Sequence, residues 1–204
     1  MAVAENILSK TEIDRQFEER RVSERISASV ALRVAVLKPT QQDLYLNTFD
    51  ELRRRFLMSV EYNRLMLVGR KALKDARMPQ GELAVFAETV ELRMEMLASL
   101  SGLATHSVSL QARQDIMISE SGIKFPHPEN IEPNTMICLR MASYSSPILA
   151  LFALANVVHS SVERDNDTGA HVGVAAKFEK IHADDRQQLK SFVSLRESQL
   201  QLAA

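Results

Sequence analysis

The stretch Asp115-Ile116-Met117-Ile118-Ser119-Glu120-Ser121-Gly122-Ile123-Lys124-Phe125 reads as the end of one β-strand, a short polar turn and the start of another. The glycine that ends the turn points to a backbone position of positive φ. Ser107 to Ile118 is the strand candidate entering this turn and Gly122 to Phe125 the one leaving it. Further strand candidates follow at Thr135 to Tyr144, Ile148 to Val162 and Ala170 to Ile181. Turn-rich pieces separate them: Pro126-His127-Pro128-Glu129-Asn130, Ser145-Ser146-Pro147 and Arg164-Asp165-Asn166-Asp167-Thr168-Gly169. Far upstream, Ser29 to Val36 sets Val30, Leu32, Val34 and Val36 on alternate positions, the period of a half-buried strand.

Helical sequence interrupts this pattern. Between Pro39 and Pro79 only Gly69 breaks a stretch rich in Leu, Arg, Met, Gln and Glu, which predicts one long helix. At full length it would reach about 55 Å and project from the rest of the molecule. Pro79-Gln80-Gly81 makes a turn, and Glu82 to about Ala104 returns as a second helix, forming a helical hairpin. Ala183 to the end, with Leu189, Phe192, Val193, Leu195 and Leu200, reads as a terminal helix, and Glu5 to Arg20 as a short charged leading one. The fold class is therefore α+β: a small antiparallel barrel interrupted by a helical insertion whose ends leave the barrel close together. The expected division is a discontinuous barrel unit with its C-terminal helix (18–37 and 107–204), an inserted hairpin (38–106) and an N-terminal helix or tail (1–17).

Composition narrows the function. The 204 residues carry 25 basic and 26 acidic side chains, a net charge of −1. No global field recruits nucleic acid or an anionic membrane, and neither is expected as a partner. Arg53-Arg54-Arg55 fans out around a helix with acids beside it, which argues against a nucleic-acid stripe. A single cysteine, Cys138, excludes an intrachain disulfide, and with no signal-like leader the expected setting is cytoplasmic. The longest apolar run, Ile148 to Val158, is interrupted by Asn156 and falls far short of the roughly 20 residues of a spanning helix.

Around the opening stretch the chain resembles the PilZ family of bacterial signalling domains, in an atypical, helix-inserted, oligomeric form of the kind found in xanthomonads. The resemblance covers roughly 18–37 and 107–195. It implies a six-stranded antiparallel barrel closed by a C-terminal helix, and a place in the cyclic di-GMP network. Arg21-Val22-Ser23-Glu24-Arg25 looks like the family's Arg-x-x-x-Arg arm, and Ser119-Glu120-Ser121-Gly122 matches the end of its ligand turn. His171-Val172-Gly173-Val174 and Phe178 to Ile181 are similar to the closing strand, with Ala175-Ala176-Lys177 inserted between them. The resemblance makes Arg21, Arg25, Ser119 and Gly122 a degenerate cyclic di-GMP site. Guanidinium groups chelate phosphate and stack on bases, although the arm mixes both signs of charge and reads equally as a solvated helix end. Where binders carry Asp or Asn two positions before the serine, this chain has Met117, which removes a polar anchor worth about 1–3 kcal/mol. Asp115 cannot substitute, being one strand period and about 6–7 Å away. No cofactor is expected, and cyclic di-GMP at most as a weakly bound ligand.

The hairpin carries a separate signal. Leu83, Val90, Leu97 and Ala104 recur every seven residues, with Phe86 and Leu100 between them. This is the repeat of a left-handed coiled coil, and also that of an intramolecular helix pair. In the first helix, Phe49, Leu52, Phe56 and Met66 form one apolar stripe, and Met58, Tyr62 and Leu65 another. A projecting hairpin cannot cover both, so a homo-oligomer is expected, four chains preferred over two. Residues 40–77 carry eight basic and five acidic side chains and residues 80–106 one and four, so net charges of +3 and −3 favour pairing of the two helices.

Nothing in the sequence assembles a catalytic constellation. The five histidines are scattered, and no HExxH, CxxC pair, Walker loop or dinucleotide motif occurs. The expected function is that of a non-enzymatic adaptor in cyclic di-GMP signalling with a protein partner, the alternative being a direct receptor using Arg21, Arg25 and Ser119. The resemblance implies motility, surface-polysaccharide or virulence control as outputs.

Overall fold

Strand β1 (Ile26–Val36) turns Ile26, Ala28, Val30 and Leu32 into the core and Ser27, Ser29 and Arg33 outward. It pairs with two neighbours in succession: β2 (Arg113–Ile118) through Ile26–Ala31 and β4 (Met136–Ser143) through Ala31–Val36. With β3 (Gly122–His127), β5 (Leu149–Asp165) and β6 (Gly169–Ile181) these form a closed barrel of order β1-β2-β3-β6-β5-β4. Every neighbouring pair is antiparallel, so the expected six-stranded barrel is present. The computed structural model describes residues 25–75, 82–102, 108, 113–144, 148–165 and 169–203.

Several strand bounds move. Pro126 and His127, expected in a turn, extend β3 by pairing with Gly173 and Val172. Ala175, Ala176 and Lys177, an insertion in the sequence comparison, are regular ladder residues opposite Lys124, Ile123 and Gly122. The sheet absorbs its irregularity elsewhere, in register shifts at Leu154/Ala155 and Val157/His159.

The single long helix expected after Pro39 is instead two, α1 (Pro39–Asn47) and α2 (Phe49–Asp75). The break is at Thr48, whose hydroxyl and amide both donate to Leu44 O, at 2.7 and 2.9 Å. Neither Gly nor Pro marks it, and the hydroxyl bond alone does not make a break, since Thr89 donates to Val85 O in the same way inside an unbroken helix. Lys180 of β6 donates to the carbonyl of Leu46 at 2.9 Å and lies 4.9 Å over the Phe49 ring, placing a cation at the C-terminal end of α1. Beyond the break, Phe49, Phe56 and Val60 pack on the outer face of β4 and β5, with Phe152, Leu154 and Cys138. The Phe49 and Phe152 rings sit 5.2 Å apart and tilted.

This corrects the expectation that a second chain covers the Phe49, Leu52 and Phe56 stripe: the barrel covers it. It also explains why all eight residues of β4 are buried. Their inner face meets the barrel core and their outer face meets α2. The hairpin's root is thus part of the barrel's packing, not a separate projection.

Helix α3 (Glu82–Leu100) returns along α2. Arg70 pairs with Glu91 and, at 2.8 Å, with Glu95, so the opposite charges of the two segments do meet. Helix α4 (Ala183–Ala203) packs Leu189, Phe192 and Val193 into the barrel core. Its first two turns also stand in for a strand. Past the last pair of β6, Ala153 with Ile181, the amides of Ala150 and Phe152 meet Gln188 Oε1 at 3.2 Å and Asp185 Oδ2 at 3.4 Å. The same Asp185 receives Arg53 of α2 in three hydrogen bonds of 2.6 to 3.0 Å, with Asp185 3% and Arg53 16% exposed.

Arg53, Arg54 and Arg55 consequently do not act as a stripe: Arg53 is turned inward to Asp185, Arg55 pairs with Glu51, and Arg54 is exposed. Burial pushes the Cys138 thiol up to about 11, against the opposing pull of Arg140 and Arg33, which leaves it protonated and inert near neutral pH. No helix among the described residues is long and apolar enough to cross a membrane.

Removing one partner of a buried pair leaves the other charge uncompensated. Asp185→Ala is expected to lower the unfolding free energy by about 3–5 kcal/mol in chemical denaturation, whereas Glu51→Ala, at an exposed pair, changes it by under about 1 kcal/mol.

Candidate ligand-binding site

The ends of β2 and β3 meet at Ile118 and Ile123, leaving Ser119 to Gly122 as a tight connection at one rim of the barrel. The backbone closes it with Ser119 N donating to Gly122 O at 2.9 Å. The Ser119 side chain, 4% exposed, is folded into the same turn: its hydroxyl lies 3.3 Å from both Gly122 O and Ser121 Oγ. Two other elements hold the turn from outside. Phe178 N of β6 donates to Ser121 O at 3.0 Å, and Lys190 of α4 lies 3.4 Å from Glu120 Oε2.

Gly122 does not sit at the positive φ expected of it; of the described glycines only Gly102 does. A Cβ on Gly122 would stand 2.6 Å from the carbonyl oxygen of Ala176. The glycine is required because β6 passes too close for any side chain.

Of the two arm arginines, Arg25 is described and exposed, immediately before β1. Since Ile26 pairs with Ile118, Arg25 reaches the same rim beside Ser119. Arg21 lies outside the described residues. Met117 points outward, 42% exposed, between Ser27 of β1 and Lys124 of β3. Asp115 shares that outer face one period back, opposite Ser29. The rim thus offers an arginine for a phosphate, but its serine hydroxyl is engaged in the turn and its flanking position is apolar.

On α3, Phe86, Val90, Leu97 and Leu100 are exposed, while the side chains of Leu83 and Ala104 lie outside the described residues. Among the described residues no three His, Cys, Asp or Glu side chains converge as metal ligands. Sequence reasoning missed Lys190 and Asp185 altogether and, while placing Phe178 and Lys180 in the closing strand, missed the contacts by which these four connect the turn and the hairpin to β6 and α4. Their partners are far away in the chain, and no local pattern announces them.

The PilZ domain model matches residues 91–195. This chain belongs to the PilZ domain family. The matched stretch takes in the second half of α3, β2 to β6 and α4 as far as Leu195, with β1 and Arg25 lying before it. PilZ domains are binding and adaptor domains of the cyclic di-GMP network rather than enzymes. No curated protein matches the chain. Among solved structures, a tetrameric PilZ domain protein from Xanthomonas campestris, self-assembled via a helical bundle, is similar over 90% of this chain and 93% of that chain, with 16% identity and a TM-score of 0.44.

The close approach of β6 makes Gly122 the most sensitive position of this PilZ turn. Gly122→Ala is expected to lower the unfolding free energy by about 1–3 kcal/mol as the turn and β6 move apart, and Ser119→Ala by about 0.5–1.5 kcal/mol. Thermal and urea unfolding of both variants would check the order.

Proposed function

We propose that this PilZ protein is a cytoplasmic, non-enzymatic adaptor of the cyclic di-GMP network that assembles with copies of itself through α2 and α3 and binds the dinucleotide weakly or not at all. The turn carries the ligand part of this reading. Its serine is engaged within its own backbone, and Met117 stands exposed where a polar anchor would be needed. Arg25 remains as a phosphate contact, which by itself supports only weak binding.

Self-assembly is supported by the distribution of exposed apolar side chains. At about 100° per residue, α3 has three faces roughly 120° apart. Glu91, Glu95 and Ala98 form one, and Arg70 of α2 meets it through the two glutamates. Phe86, Val90 and Leu97, which continue the heptad row, form the second; Val85, Leu92 and Met96 form the third. All six of these apolar side chains are exposed in one chain, with Leu97 at 65%. On α2, Met58, Leu65 and Val68 are exposed as well. An α3 helix that needs cover on two sides besides its own α2 fits a ring of copies, each touching two neighbours. Four chains are preferred over two, with the barrels splayed at one end.

Calorimetric titration with cyclic di-GMP is expected to show weak or undetectable binding, and Met117→Asp to strengthen any residual signal. Sub-micromolar binding that Arg25→Ala abolishes would overturn the adaptor reading in favour of a direct receptor. For assembly, Leu97→Asp places a carboxylate in the seam of every chain, where desolvation and like-charge repulsion act together. In analytical ultracentrifugation it is expected to dissociate the oligomer while Arg25→Ala sediments as the parent. A Leu97→Asp variant that also sediments as the parent would refute the seam.

A further inference from the structure

The stretch from Phe178 to Lys190 grips the turn and the hairpin at once. On the turn, Phe178 N bonds Ser121 O at 3.0 Å and Lys190 Nζ lies 3.4 Å from Glu120 Oε2. On the hairpin, Lys180 Nζ bonds Leu46 O at 2.9 Å and covers the Phe49 ring, and Asp185 holds Arg53. The two kinds of contact are interleaved. Phe178 and Lys180 are two residues apart on one strand, about 7 Å. Asp185 and Lys190 are five apart on one helix, about 7.5 Å. Over such short, regular spans the backbone does not absorb a displacement, so a shift at one contact is carried to the other.

The contacts differ in strength. Arg53 with Asp185 is buried and bidentate, whereas Lys190 and Glu120 are 48% and 43% exposed, a pair that yields easily. The turn end is therefore the one that lets go, and the hairpin end the one that registers it.

We propose that residues 178–190 form a coupling segment through which engagement of the Ser119–Gly122 turn changes the footing of the helical hairpin and so the strength of assembly. The consequence for assembly rests on the self-assembly reading above; the coupling itself rests on the contacts. Lys180 and Asp185 are its positioning residues. The linkage is reciprocal, so assembly changes the affinity of the turn for whatever engages it by the same factor.

Amide hydrogen exchange of the full chain tests this without a ligand, because Gly122→Ala itself drives the turn from β6. Exchange at residues 49–56 is expected to quicken by at least about fivefold in Gly122→Ala. In the double variant with Lys180→Met the two effects should fall short of their product, since both act on one path. Acceleration confined to 119–124 and 174–178, or effects that multiply, would overturn the coupling. Should Gly122→Ala not fold, Glu120→Lys, which alters only an exposed pair, is expected to quicken exchange at 49–56 through Lys190 and Asp185; no change there would equally overturn it. Sedimentation of each sample separates the two readings. A monomeric parent ends the self-assembly reading, while the exchange pattern still decides the coupling.

Discussion

Asp185 sits almost wholly buried at the start of α4, where its carboxylate meets Arg53 from α2 and the Phe152 amide from β5. A charge taken out of water demands a partner in good geometry, and this one has a bidentate guanidinium, a backbone donor and the N-terminal turn of its own helix. Three elements distant in the chain are thereby brought to one point. With Arg53 held there, α2 must lie across β5, and its ring at Phe56 falls against Phe152. With α4 starting there, Leu189, Phe192 and Val193 run into the barrel core.

That arrangement divides the helical insertion into two halves with different solvents. Up to Val60 the insertion is part of the barrel's outer packing, with Phe49 and Phe56 as buried as any residue in the core. Beyond it, apolar side chains on both helices face water, held to each other by Arg70 and its two glutamates. A pair of exposed ion contacts contributes little by itself. The barrel-bound half fixes the direction in which those apolar faces are presented.

The motif turn is structural before it is a site. Its serine closes its own backbone, its glycine yields room to Ala176, and the Ser121 carbonyl and Glu120 carboxylate are held by β6 and α4. The same short segment finishes the barrel and starts the helix that seals it.

Much of this was legible in the chain alone. The strand alternation within Ser29 to Val36, the helical stretch after Pro39 interrupted only by Gly69, the apolar rows of α4 and the Ser119-Glu-Ser-Gly122 turn are local patterns, and local backbone periodicity is what a sequence records directly. Opposite charge on the two hairpin helices likewise announced a pairing that Arg70 makes. Tertiary structure alone decided that Phe49 and Phe56 face the barrel and not a second chain, because an apolar stripe specifies that it must be covered and not by what. It alone decided that the helix breaks at Thr48, between the Leu46 carbonyl that Lys180 reaches and the Phe49 ring that packs on Phe152. It alone gave Gly122 its reason, which is the distance to a strand some fifty residues away and not a dihedral angle of its own. And it alone joined Arg53 to Asp185 across 132 residues, a choice among many charged partners that is made only when packing removes the others from reach.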